Sequence, residues 1–257
     1  GNIYVYKNPY TKETEYFQLN TASYWYFPTD KSSTKTWTYL GTDANEAINH
    51  RLTQLNVQTF RGFLGETREN ILNGAMNVNI QPRNATAITA LTGGMNLNGD
   101  LNVDNGTLIL SGQPVAHAGG VVIDDDWRTS LFSARQINVG AGAFFQAGEY
   151  AGVKANFVAA ESATLSFGYN DSLLTGEKSW RCYAPIYADE TRCSQPVRSA
   201  ETLARLPASE VEGDVRLADH ASLYLGKVDY QGAVTSSGSS QMTLASDANW
   251  SMTSHSN

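Results

Sequence analysis

The sequence predicts an all-β chain: a right-handed parallel β-helix, or solenoid, with loop and short-helix excursions. Three observations carry that expectation. The first is composition. Across 257 residues only 17% are charged and 41% hydrophobic, with 22 Gly and 7 Pro, a turn-rich β make-up rather than a helical one. The second is Met95 to Gly112, MNLNGDLNVDNGTLILSG. There Leu97, Leu101 and Val103 are spaced by polar or Gly residues, Asp104-Asn105-Gly106 breaks the run, and Leu108, Ile109 and Leu110 restart it. This reads as a strand, a sharp corner needing positive φ, and another strand. The third is recurrence: the same unit returns down the chain, as coils of a solenoid do.

In chain order, Ile3 to Tyr6 alternates as a strand, Asn8-Pro9 turns, and Tyr16 to Leu19 continues. Ser23 to Phe27 and Trp37 to Leu40 are further strands. Tyr4, Tyr6, Phe17, Trp25, Trp37 and Tyr39 make this segment aromatic-rich. Such rings either fill a core or offer flat faces to a sugar, and strands favour them in any case. Gly41 to Asn56 is a helix candidate. Asp43 and Glu46 form a capping-box-like pair, and Ala44, Ala47, Ile48, Leu52 and Leu55 keep helical spacing. Val57 to Leu64 and Met76 to Ile80 read as strands around a charged loop from Gly65 to Asn73.

The repeat then takes over. Leu101 and Val103 are answered by Leu108 and Leu110, Ile137 and Val139 by Phe144, Phe157 by Leu165 and Phe167. Val215 and Leu217 are answered by Leu223 and Leu225, then Met242 and Leu244 by Trp250 and Met252. Intervening segments are too long for two-residue hairpins, and a solenoid tolerates insertions of uneven length because each coil touches only its neighbours. Two excursions interrupt it: Gly119 to Ser133 with Asp124-Asp125-Asp126, and Ser172 to Gly213 with both cysteines and a short helix from about Ser199 to Pro207. The expected organisation is one solenoid: aromatic strands and a helix over 1–75, coils over 76–172, a Cys-bearing insertion over 173–213, and further coils over 214–257. With no polar capping coil at either end, the sequence reads as a piece of a longer solenoid.

Net charge is −7 and the pI near 5.1. With no basic cluster, that disfavours nucleic acid and anionic membrane as partners. No apolar run reaches the ~18 residues of a membrane helix, and no secretion signal is read at the first residues. Cys182 and Cys193 stand too far apart for a redox CxxC motif, and structural zinc needs four ligands. One local disulfide is the better reading, with two free thiols the other. A disulfide implies an oxidising compartment and, closing so short a loop, contributes about 2.5–3 kcal/mol.

No catalytic, cofactor-binding or metal-binding residue is assigned. There is no GxSxG or GDSG text, and His50, His117, His220 and His255 are scattered. Asp124 to Asp126 lack EF-hand or nonapeptide spacing, and adjacent residues of an extended segment point opposite ways. Glycan cleavage needs paired carboxylates in neighbouring coils, whereas Asp104, Glu161, Asp219 and Asp247 sit in corners, where acids are turn formers.

The wording GDLNVDNGTLILSGQPVAHA at Gly99 to Ala118 resembles the secreted passengers of the serine protease autotransporters of enteric bacteria, themselves similar to the immunoglobulin A protease group. TFRGFLGE at Thr59 to Glu66, LTGGMNLNGDL at Leu91 to Leu101, and the tail from Val211 to Ser256 carry the same resemblance, as does the close Cys pair. Ser254 stands where the family usually has Gly. The resemblance implies the C-terminal half of a passenger β-helix, without the family's protease domain and its GDSGS motif. It implies a non-catalytic stalk, secreted or on the bacterial surface via the periplasm, that supports secretion and presents an N-terminal protease. Its partners would be the rest of the same passenger and possible host molecules. The alternative is a host-glycan or receptor-binding module using the aromatic segment or the Cys loop.

Overall fold

In a computed structural model, residues 3–20, 31, 36–44, 46, 47, 50, 57–65, 76–114, 127–170 and 204–253 are described. The chain divides into two units. The first is Gly1–Gln58, Pro114–Asp126 and Asp171–Ala200; the second is Thr59–Gln113, Trp127–Asn170 and Glu201–Asn257.

The first unit holds an antiparallel three-stranded sheet of β1 (Ile3–Lys7), β2 (Thr14–Leu19) and β3 (Trp37–Tyr39). The β1–β2 connection turns on Asn8, whose Oδ1 accepts the Tyr10 and Thr11 N–H groups at 2.9 and 3.1 Å. Tyr4, Phe17, Leu19 and Trp37 bury a small core, with Tyr4 edge-on to Trp37 at 5.2 Å. Tyr4, Phe17 and Trp37 therefore fill a core, whereas Tyr10 is 89% exposed. Beneath them Glu15 is buried and pairs with Lys31 Nζ at 2.6 Å. The helix expected after Gly41 does begin: Asp43 Oδ1 accepts the Glu46 N–H at 2.9 Å, and Ala44, Glu46, Ala47 and His50 are helical. Ser23 to Phe27 lies outside the described residues.

The solenoid runs coil by coil. The first coil has β4 (Val57–Phe60), β5 (Leu64–Gly65) and β6 (Val78–Ile80); the second has β7 (Ile88–Leu91), β8 (Met95–Asn96) and β9 (Asp100–Val103). The third has β10 (Thr107–Leu110), β11 (Gln113–Pro114), β12 (Trp127–Arg128) and β13 (Ser130–Val139). The fourth is β14 (Phe144–Ala147) and β15 (Ala151–Ala159); the fifth is β16 (Thr164–Phe167), β17 (Ser209–Glu212) and β18 (Val215–Leu217). The sixth has β19 (Ser222–Leu225), β20 (Val228–Gln231) and β21 (Val234–Ser236), and β22 (Gln241–Leu244) with β23 (Asn249–Ser251) follows.

Apart from β11 and β12, which pair with each other, the solenoid strands pair in parallel with their counterparts in neighbouring coils. One seven-stranded sheet orders β22-β19-β16-β14-β10-β7-β4, an eleven-stranded sheet holds the other coil strands, and β11 with β12 forms a two-stranded sheet. The register stacks like on like: Leu108, Phe145, Leu165 and Leu223 form one inward column, and Leu91, Leu110, Ala147, Phe167 and Leu225 another. Inside, Phe145, Phe157, Phe167, Tyr230 and Trp250 make a continuous aromatic stack, with neighbouring centroids 4.8–6.3 Å apart. The polar tips at its end reach corner carbonyls. Tyr230 Oη donates to Gly213 O at 2.7 Å, and Trp250 Nε1 to Gly232 O at 3.0 Å.

Corners carry their own ladders. Asn77 Oδ1 accepts the Asp100 N–H at 2.8 Å, Asn156 Oδ1 that of Asp214 at 3.0 Å, and Asp214 Oδ1 that of Ala233 at 2.9 Å. Outside, Asn138 Nδ2 donates to Asn102 and Asn102 Nδ2 to Asn79, at 2.7 and 2.8 Å. Each such bond contributes about 0.5–1.5 kcal/mol net. They fix the register of one coil against the next. The corners into β10, β14, β16, β19 and β22 each use a left-handed residue: Gly106, Gly142, Ser162, His220 and Gly238 have φ from 57 to 71°.

Several expectations are corrected. Phe144 does not answer Ile137 and Val139; Phe145 does. The corner holds one residue more than was read, Ala143, and a one-residue shift exchanges the faces of a strand. The coils resume at Ser130 and Ser209, before the ends expected for the two excursions, because β13 and β17 stack on β15. Leu244 and Met252 are exposed rather than inward. Of the second short helix, Ala204 and Arg205 are helical and Leu206 is buried; 199–203 lies outside the described residues.

Candidate functional site

Alternation places one side chain in two on the outer wall. Along the first part of the eleven-stranded sheet the inward column is Phe132, Val153, Val211, Tyr230 and Trp250. The outer wall is therefore two parallel columns. Leu131, Gly152, Glu210, Asp229 and Asn249 form one; Ser133, Lys154, Glu212, Gln231 and Ser251 form the other. Together they line a groove of about 620 Å³.

Its chemistry is acidic and polar. Lys154 Nζ lies 3.1 Å from Glu212 Oε1. Asp229 Oδ1 accepts from Asn249 Nδ2 at 3.2 Å. Glu210 is register partner to Asp229 in the next coil. Leu131 is 68% exposed and covers Gly152, where an added Cβ would stand 2.7 Å from Leu131 Cδ2. All three acids are exposed, unlike the enclosed carboxyl that serves a glycosidase as acid.

The reading by sequence missed Glu210, Glu212 and Asp229. The signal was there: Ser209-Glu210-Val211-Glu212 and Val228-Asp229-Tyr230-Gln231 alternate apolar and acidic or polar residues. The first run was assigned to the insertion. The corner acids that were singled out are turn formers where hydrogen bonds are seen. Asp219 Oδ1 accepts the Ser239 N–H at 2.6 Å, and this bond, with His220 beside it, holds the carboxyl below its ordinary value. His220 Nδ1 lies 3.2 Å from Asp219 Oδ2, but the serine that meets this pair does so through its backbone. Among the described residues no group of three or more His, Cys, Asp or Glu is placed to hold a metal ion. Cys182, Cys193, Asp124 to Asp126, His117 and His255 lie outside the described residues. No described helix is long and apolar enough to cross a membrane.

Comparison with known proteins gives a consistent answer. Residues 74–244 match the family model described as the PIC/HAP1/IgA0 second beta-solenoid repeat region. The chain is 30% identical to an immunoglobulin A1 protease autotransporter of Haemophilus influenzae over 289 aligned residues, covering 97% of this chain and 17% of the relative. It is 28% identical to an IgA-specific serine endopeptidase autotransporter of Neisseria gonorrhoeae, over 96% of this chain and 17% of that protein. It is 32% identical to the serine protease SepA autotransporter of Shigella flexneri, over 54% and 10%. The crystal structure of the Haemophilus influenzae Hap adhesin superposes with a TM-score of 0.62 at 22% identity, covering 82% of this chain and 24% of that one. This last likeness bears on the fold alone. The chain spans about 17% of the length of the immunoglobulin A1 protease relative.

Proposed function

Because the chain belongs to the PIC/HAP1/IgA0 second beta-solenoid repeat region family of autotransporter passengers, we propose that it is the non-catalytic stalk of a secreted serine protease autotransporter. Such passengers are secreted or surface-exposed by way of the periplasm and outer membrane. In this reading the stalk supports export and holds an N-terminal protease clear of the cell. Its partners are the remaining segments of the same passenger.

The observation that carries the reading is the parallel ladder running from β5 through β8, β13, β15, β17 and β20 to β23, with a bulge at Ser133/Gln136 where β13 pairs with β15. Coils that touch only their neighbours can fold by propagation, so stacking outside the cell can draw further chain outward. The test uses the full-length parent. Removing 144–163 takes out one coil and joins Ala143 to Thr164, whose N–H already bonds Ala143 O at 3.0 Å. A stalk shortened by one coil is expected to keep both surface display and protease activity. Gly213→Ala, which breaks a coil contact, is expected to lower surface display several-fold. Full display of a Gly213→Ala passenger whose coils are shown to be cleaved by added protease would overturn the reading.

The Cys182–Cys193 disulfide belongs to the same proposal, since the periplasm is oxidising. A non-reduced digest examined by mass spectrometry is expected to contain the linked peptide. Two alkylatable thiols in freshly exported protein would remove it.

A further inference from the structure

We propose that the outer groove is a docking surface for an extended basic polypeptide segment, a second role that is independent of the stalk's. The charge arrangement selects the occupant. Lys154 is the one cation among the groove-lining residues, and it is already engaged by Glu212 at 3.1 Å. Glu210 and Asp229 are left with no cation beside them among the described residues. They occupy the same outer column in successive coils, about 4.8 Å apart along the axis. Two like charges held side by side repel one another, and an arriving cation removes that repulsion as well as adding attraction.

The rest of the groove suits a peptide. Leu131 stands 68% exposed one coil beyond Gly152, with its Cδ2 only 2.7 Å from where a Cβ on that glycine would be. It offers an aliphatic contact at one end of the column. At the other end Asn249 presents an amide beside Asp229. From Leu131 to Asn249 the column steps over five strands, roughly 19 Å at 4.8 Å each. An extended segment of about six residues has that length. A segment with an apolar residue followed by Lys or Arg at alternate positions meets Leu131 and then the two carboxylates. A neutral glycan would leave both carboxylates uncompensated, and nucleic acid would be repelled.

The experiment is fluorescence anisotropy with the whole chain and two labelled probes of about eight residues. One carries Leu followed by two alternate Arg; the other has Glu in place of Arg. The basic probe is expected to bind and the acidic one not. Binding should weaken as salt rises from about 0.05 to about 0.5 M, since exposed pairs are screened. The double variant Glu210→Gln with Asp229→Asn is expected to lose about five- to tenfold in affinity, the effect of two exposed ion pairs. Lys154→Gln frees Glu212 and should raise affinity by about two- to fivefold on the same scale. Glu161→Gln, a corner change away from the groove, should leave binding unchanged. Circular dichroism confirms that each variant is folded. Equal binding of both probes, no binding of either, or a basic probe indifferent to the double variant overturns the proposal. So does tighter binding of a neutral oligosaccharide that depends on Glu210.

Discussion

Phe144 and Phe145 are adjacent and chemically identical, so replacing each by Ala isolates the register of the solenoid. Phe145 is fully buried, in column with Leu108 and Leu165, and its ring meets those of Phe157 and Phe167 at 5.5 and 6.5 Å. Truncating a buried Phe costs about 3–5 kcal/mol in lost transfer energy and cavity. Aromatic pairs are worth about 0.5–1.5 kcal/mol beyond that area. Phe145→Ala should therefore cost about 4 kcal/mol or more. Phe144 is half-buried on the opposite side of β14, beside Thr107 and Thr164. Its replacement by Ala should cost less than about 1 kcal/mol, as surface changes generally do. Equilibrium urea unfolding, followed by circular dichroism, measures both on the same chain, with an unchanged denaturant slope as the control. Equal losses, or a larger loss for Phe144, would refute the register, because a one-residue slip of β14 would exchange the two rings.

Other outcomes follow from the corners and the stack. Ser162 and His220 hold left-handed φ of 60 and 57°, which costs a non-Gly residue about 1–2 kcal/mol. Changing either to Gly should raise the urea midpoint slightly, and a fall would contradict the corner geometry. Gly213→Ala should destabilise by about 3 kcal/mol or more through overpacking, because its Cβ would stand 1.7 Å from Ala155 O. Gly142→Ala, with nothing within 4 Å, should cost only the backbone strain of about 1–2 kcal/mol; thermal unfolding compares the pair. Burial, with Asp214 nearby, pushes the Tyr230 phenol well above its ordinary value. The folded state therefore keeps its proton while the unfolded chain loses it near pH ~10. Stability from this group is full below that pH and falls as pH rises toward the folded value. Tyr230→Phe should flatten the alkaline limb of a stability–pH curve. It should also cost about 1–2 kcal/mol at neutral pH for the unmet Gly213 carbonyl.

The solenoid was legible because period-2 runs and Gly-containing corners are local features. Leu101, Val103, Leu108 and Leu110 declare their face within ten residues, and all four are fully buried. What was illegible depended on the number of residues in each corner or on neighbours far along the chain. Ala143 lengthens its corner by one residue, so Phe144 looked like the inward ring. β17 is four residues, two of them Glu, next to a helix-like Leu203 to Leu206, and only pairing with β15 and β20 marks it as part of the wall. The groove acids share a column only once coils are stacked. The antiparallel pairing of β1 to β3 was equally hidden, since alternation does not state strand direction.

In the proposed reading these coils build a shaft, and the proteolytic chemistry of the relatives lies elsewhere. Incubating the purified chain with casein and with mucin, with and without a serine-protease inhibitor, tests it most directly. No cleavage above the buffer control is expected in either arm. Turnover that the inhibitor abolishes, in a preparation free of contaminating protease, would contradict it.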